Sequence, residues 1–164
     1  MLRLSKKADY ALLALRHMAA HSERPAHSAR ELAEAYDIPA ELLAKVLQSL
    51  VRAGLLASHQ GIHGGYGLSR SSDLISVADV IQAIDGPFTV TACSTERHDC
   101  DQYSKCNVRG PLWQIRERIV ATLGMVSIAE MAADSEPATA AASELAVVRR
   151  SGIPASAGHG PRQG

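Results

Sequence analysis

"SARELAEAYDIPAELLAKVLQSLVRAGLLASHQGIHGGYGLSR", residues 28–70, holds a short helix, a strongly amphipathic helix and a glycine-tipped hairpin in immediate succession. Ser28 and Glu31 stand in the S-x-x-E arrangement of a capping box, and Leu32, Ala33 and Tyr36 give the short helix one apolar side. Asp37 and Ile38 make a brief turn, and Pro39 suits a first helical position, where its missing N–H costs nothing. In the second helix Leu42, Leu43, Val46, Leu47, Leu50 and Val51 form the stripe expected to be buried. Glu41, Ala44, Lys45, Gln48, Ser49 and Arg52 form the opposite face, and Gly54 ends the helix as a C′ glycine. Strands are expected in "LLASH" and "YGLSR", flanking "QGIHGG", whose glycines permit the positive φ angles of a tight tip.

On the N-terminal side, residues 5–21 read as a helix capped by Ser5, with Ala8, Ala11, Leu12, Leu15, Met18 and Ala19 at helical spacing. On the C-terminal side, Ser76 caps a helix whose Val77, Val80, Ile81 and Ile84 face the core, and Gly86-Pro87 stops it. Helix, short helix, amphipathic helix and hairpin in this order make a winged helix-turn-helix. The fold class is mainly α with a small β-hairpin wing.

In that arrangement the outward face of the third helix enters a DNA major groove. Glu41, Lys45, Gln48 and Ser49 become base-edge candidates. Gln pairs bidentately with adenine, Lys reaches guanine and Glu accepts from cytosine. Arg52, Lys6 and Lys7 are candidate phosphate contacts, and His59, Gln60 and His63 at the hairpin tip are candidates for the backbone or minor groove. Global charge adds no support. The chain has 17 basic and 17 acidic side chains, so any nucleic-acid interface must come from local arrangement.

All three cysteines, Cys93, Cys100 and Cys106, fall in one polar stretch between the fourth helix and "PLWQIRERIVATLGMV". The chain is long enough to bury a core without disulfide staples. No apolar run is long enough to span a bilayer. "MLRLSKKADYALLALRHMAA" resembles a leader only superficially, because Asp9, Arg16 and His17 interrupt it, so a cytoplasmic location is expected. There, clustered thiols more often bind metal or sense redox state than form structural disulfides. The gaps of six and five residues fit poorly the C-x₂₋₄-C pairs of structural zinc sites.

After the cysteines, Leu112, Ile115, Ile119, Leu123 and Val126 repeat at a spacing close to that of a helix pairing with another helix. "SIAEMAAD" is a short capped helical turn. Beyond Asp134 the chain is rich in Ala, Ser, Pro and Gly, so residues 135–164 are expected to be a disordered tail. The expected organisation is a DNA-binding domain over 1–87, a cysteine-rich loop over 88–110, a dimerisation helix with a short C-terminal helix over 111–134, and the tail.

"LSKKADYALLAL", "SARELAE", "IPAELLAKVLQSLVRAGLL", "GIHGGYGLSR", "ISVADVIQAIDGP" and the three-cysteine loop before "LW" together resemble the Rrf-two regulators. These are winged-helix iron–sulfur proteins of the IscR and NsrR kind. The resemblance covers about residues 1–133, and "GIHGGYGL" and "DGPFTVTAC" look most similar to regulators of the SUF cluster-assembly system.

The resemblance implies a homodimer on double-stranded DNA and a two-iron or four-iron cluster held by Cys93, Cys100 and Cys106. Clusters commonly take four thiolates, so a further ligand is needed. In IscR-like relatives it is a histidine three positions after the last cysteine, and here that position is Arg109. In NsrR-like relatives it is an aspartate early in the first helix of the other subunit, which Asp9 matches. His98 is a local alternative, with Asp99, Asp101 and Glu96 behind it. The wing departs from many relatives too, carrying Gln60 where they place Arg.

The implied function is a repressor of iron–sulfur cluster assembly genes that senses redox state, nitric oxide or cluster status. The alternative is a cluster-free regulator that uses the thiols for redox sensing or responds to a small ligand. No phosphate loop, G-x-S-x-G or HExxH motif points to an enzyme.

Overall fold

The computed structural model describes residues 4–61, 64–90 and 101–133. The expected tail over 135–164 lies outside them. The elements run α1 (Lys6–Ala20), α2 (Ala29–Ala35), α3 (Ala40–Arg52), β1 (Leu56–His59), β2 (Gly65–Leu68), α4 (Val77–Asp85), α5 (Arg109–Met125) and α6 (Ile128–Ala133). Short 3-10 turns precede α4 at Ser72–Leu74 and α5 at Tyr103–Lys105. This is the winged helix-turn-helix expected from the sequence, with a long helix added.

The core is aliphatic. Leu15 and Ala11 of α1, Leu32 of α2, Leu43, Leu47 and Leu50 of α3, and Val80 of α4 are fully buried together, with Ile75 and Ile128 closing the base. Burying each of the leucine, isoleucine and valine side chains contributes about 1.5–3 kcal/mol. Leu42 and Val51 lie at the edge of the α3 stripe, only half-buried.

Local signals set the helix ends. Ser5 accepts from the Ala8 N–H to cap α1. Ser76 and Asp79 form both halves of a capping box on α4, and Ser127 and Glu130 do the same on α6. At Ser28 the hydroxyl accepts from the Glu31 N–H at 3.1 Å, but the Glu31 carboxylate is drawn away to Arg24 instead of completing the expected box. Pro39 sits one position earlier than expected, as the N-cap of α3, where its carbonyl accepts from Leu42 and Leu43.

α3 ends in a Schellman arrangement. Leu55 N–H donates to Leu50 and Gly54 N–H to Val51, with Gly54 at φ 72°. Between α2 and α3, Asp37 takes φ 52°, a left-handed value that aspartate tolerates.

The wing pairs Leu56 with Leu68, Ala57 with Gly67, Ser58 with Tyr66 and His59 with Gly65. His27, just before α2, bridges to the other side of β2 by exchanging main-chain hydrogen bonds with Tyr66. This explains the glycines differently from the turn reading. Only Gly61 at the tip has a positive φ, 119°. A Cβ on Gly65 would stand 2.4 Å from the His27 carbonyl oxygen, and one on Gly67 would stand 2.3 Å from that of Pro25. Those glycines let the loop before α2 press onto the strand.

α5 begins at Arg109, inside the segment expected to be loop, because Leu112 N–H already donates to the Val108 carbonyl. α6 folds back on α1, where Arg16 Nε donates to the Met131 carbonyl at 2.8 Å.

Candidate nucleic-acid interface and thiol segment

Burial of Leu43, Val46, Leu47 and Leu50 fixes which side of α3 faces outward. Glu41, Lys45, Gln48 and Arg52 are all exposed and recur at i, i+4, i+7 and i+11, so they share one face. Ser49 is half-buried and its hydroxyl is engaged. It donates to the Lys45 carbonyl at 3.0 Å and accepts from Arg52 at 2.9 Å. Ser49 therefore steadies Arg52, and the base-edge candidates that stand exposed on this face are Glu41, Lys45 and Gln48. His59 and Gln60 are exposed at the end of β1, and Lys6 and Lys7 are exposed in the first turn of α1. His63 lies outside the described residues.

Of the candidate cluster ligands, Cys93, Cys100, His98, Glu96 and Asp99 lie outside the described residues. Cys106 is half-buried just after the 3-10 turn, Asp101 is exposed, and Asp9 is half-buried in the first turn of α1. Among the described residues no three of His, Cys, Asp and Glu form a group that could hold a metal ion.

The two ends of the thiol segment are anchored. Upstream, Ser5 Oγ donates to the Asp85 carboxylate at 2.6 Å, which ties the end of α4 to the start of α1 four residues from Asp9. Arg116 Nε of α5 donates to the Phe88 carbonyl at 2.7 Å while its guanidinium lies 5.1 Å from the Trp113 ring centre. Downstream, Cys106 leads directly into α5.

α5 leaves large apolar side chains exposed. Trp113 is 49% exposed, Ile115 46% and Met125 80%, and no residue of the helix is fully buried. Of the expected stripe, Leu123 packs against the core while Ile115 and Val126 stay exposed.

Sequence reasoning missed a histidine cluster at the C-terminal end of α1. The His17 and His21 rings stack 4.3 Å apart, and His27 meets His17 edge-on at 5.1 Å. His17 Nδ1 shares a 3.0 Å hydrogen bond with the Tyr36 hydroxyl, and His21 Nδ1–H donates to the His17 carbonyl at 2.8 Å. His27 is 1% exposed, and neither of its ring nitrogens has a hydrogen-bond partner in the structure. The His21 backbone favours the charged form of the ring, against the effect of burial.

Burial holds the His27 imidazole below the ordinary histidine value, with the Arg24 charge adding to it. Burial does the same to His17, reinforced by His21 and His27. Glu31 opposes both shifts. The available sequence signal was the i, i+4 spacing of His17 and His21 on one helix face.

Residues 4–134 match the Rrf2 family model, described as an iron-dependent transcriptional regulator. The chain is 32% identical over 136 residues to the HTH-type transcriptional regulator IscR of Vibrio cholerae serotype O1, covering 82% of this chain and 78% of that one. The structure resembles CymR, the global cysteine regulator of B. subtilis, with a TM-score of 0.67, 26% identity, and coverage of 83% of this chain and 100% of that one. It also resembles T. potens IscR, with a TM-score of 0.64, 27% identity, and coverage of 84% and 91%.

Proposed function

The chain belongs to the Rrf2 family of DNA-binding transcriptional regulators, and from that membership we propose that it works as a homodimeric repressor whose hold on DNA depends on an iron–sulfur cluster, with cluster-assembly genes as its targets. The ligands are Cys93, Cys100 and Cys106 of one copy and Asp9 of the other. Three thiolates and one carboxylate supply four donors, which fits a two-iron or four-iron cluster. When bound, such a cluster supplies iron that reacts with oxygen or nitric oxide, most readily where its ligand is the weaker carboxylate.

The observation that supports this reading is the anchoring of the thiol segment. It leaves α4 at Asp85, bonded to Ser5 near Asp9, and returns through Cys106 into α5. Arg116 grips Phe88 and so links the segment's start to α5. The side of α5 that carries the exposed Ile115 is where the second copy packs. α1 packs on α3, so a tie at Asp9 acts on the helix that supports Glu41, Lys45 and Gln48. Two such faces must stand about one helical turn of DNA apart, roughly 34 Å, to read paired half-sites. A change of a few ångströms loses base contacts.

The test is purification without air, followed by absorbance spectra and iron and sulfide analysis of wild type, Cys93→Ser and Asp9→Ala. Wild type should carry sulfide, Cys93→Ser should not, and Asp9→Ala should lose its cluster faster in air. A colourless wild type without iron or sulfide would overturn the reading in favour of a cluster-free thiol or ligand sensor.

A further inference from the structure

A cavity of about 410 Å³ opens at the root of the wing, between the end of α1, the loop before α2 and the residues that follow β2. Its polar walls are Arg24 and Ser22 from the loop, Arg70, Ser71 and Ser72 from beyond β2, and the buried His27. Among the described residues no carboxylate lines it. The acids lie behind the arginines: Glu31 holds Arg24, and Asp79 approaches Arg70 only to 3.7 Å, too far for a hydrogen bond. Arg70 thus keeps its donors in reserve. The imidazole of His27 forms part of the wall with both nitrogens sealed from solvent, so it shapes the cavity and leaves the anion to the arginines. Ser71 already donates to Asp73, which leaves Ser22 and Ser72 as the wall hydroxyls for an occupant.

We propose that this cavity binds a small oxyanion, a carboxylate- or phosphate-bearing molecule held chiefly by Arg70, with the Glu31-paired Arg24 beside it. Two arginines from different chain segments line the cavity, and a guanidinium suits bidentate recognition of planar carboxylate or tetrahedral phosphate. The volume lies in the range of small-ligand sites. The same chemistry could come from a DNA phosphate, but a strand backbone needs only a surface, whereas this site is concave and large enough for a free molecule.

The walls carry the Ser28 cap of α2 and, through the His27–Tyr66 bridge, the wing strand. An occupant therefore bridges two parts of the reading head, and its binding is linked reciprocally to that of DNA. This inference does not depend on the iron–sulfur reading.

The test uses the full chain in chloride buffer of constant ionic strength, with inorganic phosphate and succinate as probes, read by thermal shift and titration calorimetry. At least one probe should stabilise the protein saturably. Arg70→Gln should raise its half-saturation concentration about tenfold or more, the worth of one charge-assisted pair. Arg118→Gln, on the exposed surface of α5, should leave it unchanged. Stabilisation that never saturates, or that falls equally in both variants, overturns the proposal. Binding of a mixed-sequence duplex in phosphate-free buffer separates the two sources. A salt slope unchanged by Arg70→Gln supports a free anion, whereas a slope smaller by about one unit marks a backbone contact and overturns it.

Discussion

His27 and Tyr66 exchange both of their main-chain hydrogen bonds, N–H to carbonyl at 2.9 Å one way and 2.8 Å the other. The pair joins the loop before α2 to the wing and buries the His27 side chain against α1. It holds together the loop before α2, the wing and α1.

The closeness of that junction depends on missing side chains. Gly67→Ala should destabilise the fold by about 1–3 kcal/mol, because its Cβ meets backbone that has no rotamer to yield. Gly61→Ala meets no atom within 4 Å and suffers only from its positive φ, so its cost should be nearer 1 kcal/mol. Urea midpoints at equal m-value check the order.

Stability should fall on mild acidification. His17 and His27 have folded values below 6.5, so the unfolded chain binds protons that the native state refuses. Their contribution is complete above pH 6.5 and is lost as pH drops below it. Glu31 is shifted down by its hydrogen bond from Arg24, so its contribution disappears only in a lower window, below 4.5. Thermal midpoints of wild type and His27→Gln, compared at pH 7.5 and 5.5, should show the smaller change in the variant.

On α3, Lys45→Ala and Gln48→Ala should each reduce discrimination between operator and random DNA by about 1–3 kcal/mol. Ser49→Ala should act more weakly and indirectly, by releasing Arg52. With Gln60 uncharged at the wing tip, the salt dependence should be shallower than that of a many-contact repressor. Fluorescence anisotropy across a salt series measures both.

On α5, Ile115→Asp should convert a dimer to a monomer without unfolding it, since the side chain is 46% exposed in the single copy. Sedimentation velocity with circular dichroism separates the two effects. A variant that stays dimeric would remove this face from the interface.

Much of the architecture follows from local rules that sequence carries openly. The apolar stripe of α3 decided which side is buried, and Gly54 and Ser76 set helix ends through backbone conformation and a hydroxyl three residues from its partner. Such signals work within one turn of chain, so no partner from afar is needed to read them. Other features exist only because distant segments meet. Gly65 and Gly67 are glycines for the approach of residues 25–27, not for the turn, and Glu31 leaves its box for Arg24. The histidine cluster and the cavity beside it are assembled from α1, the loop before α2 and the chain beyond β2. Periodicity reports which face of a helix avoids water, whereas the chemistry at the root of the wing depends on which side chains the core then forces together.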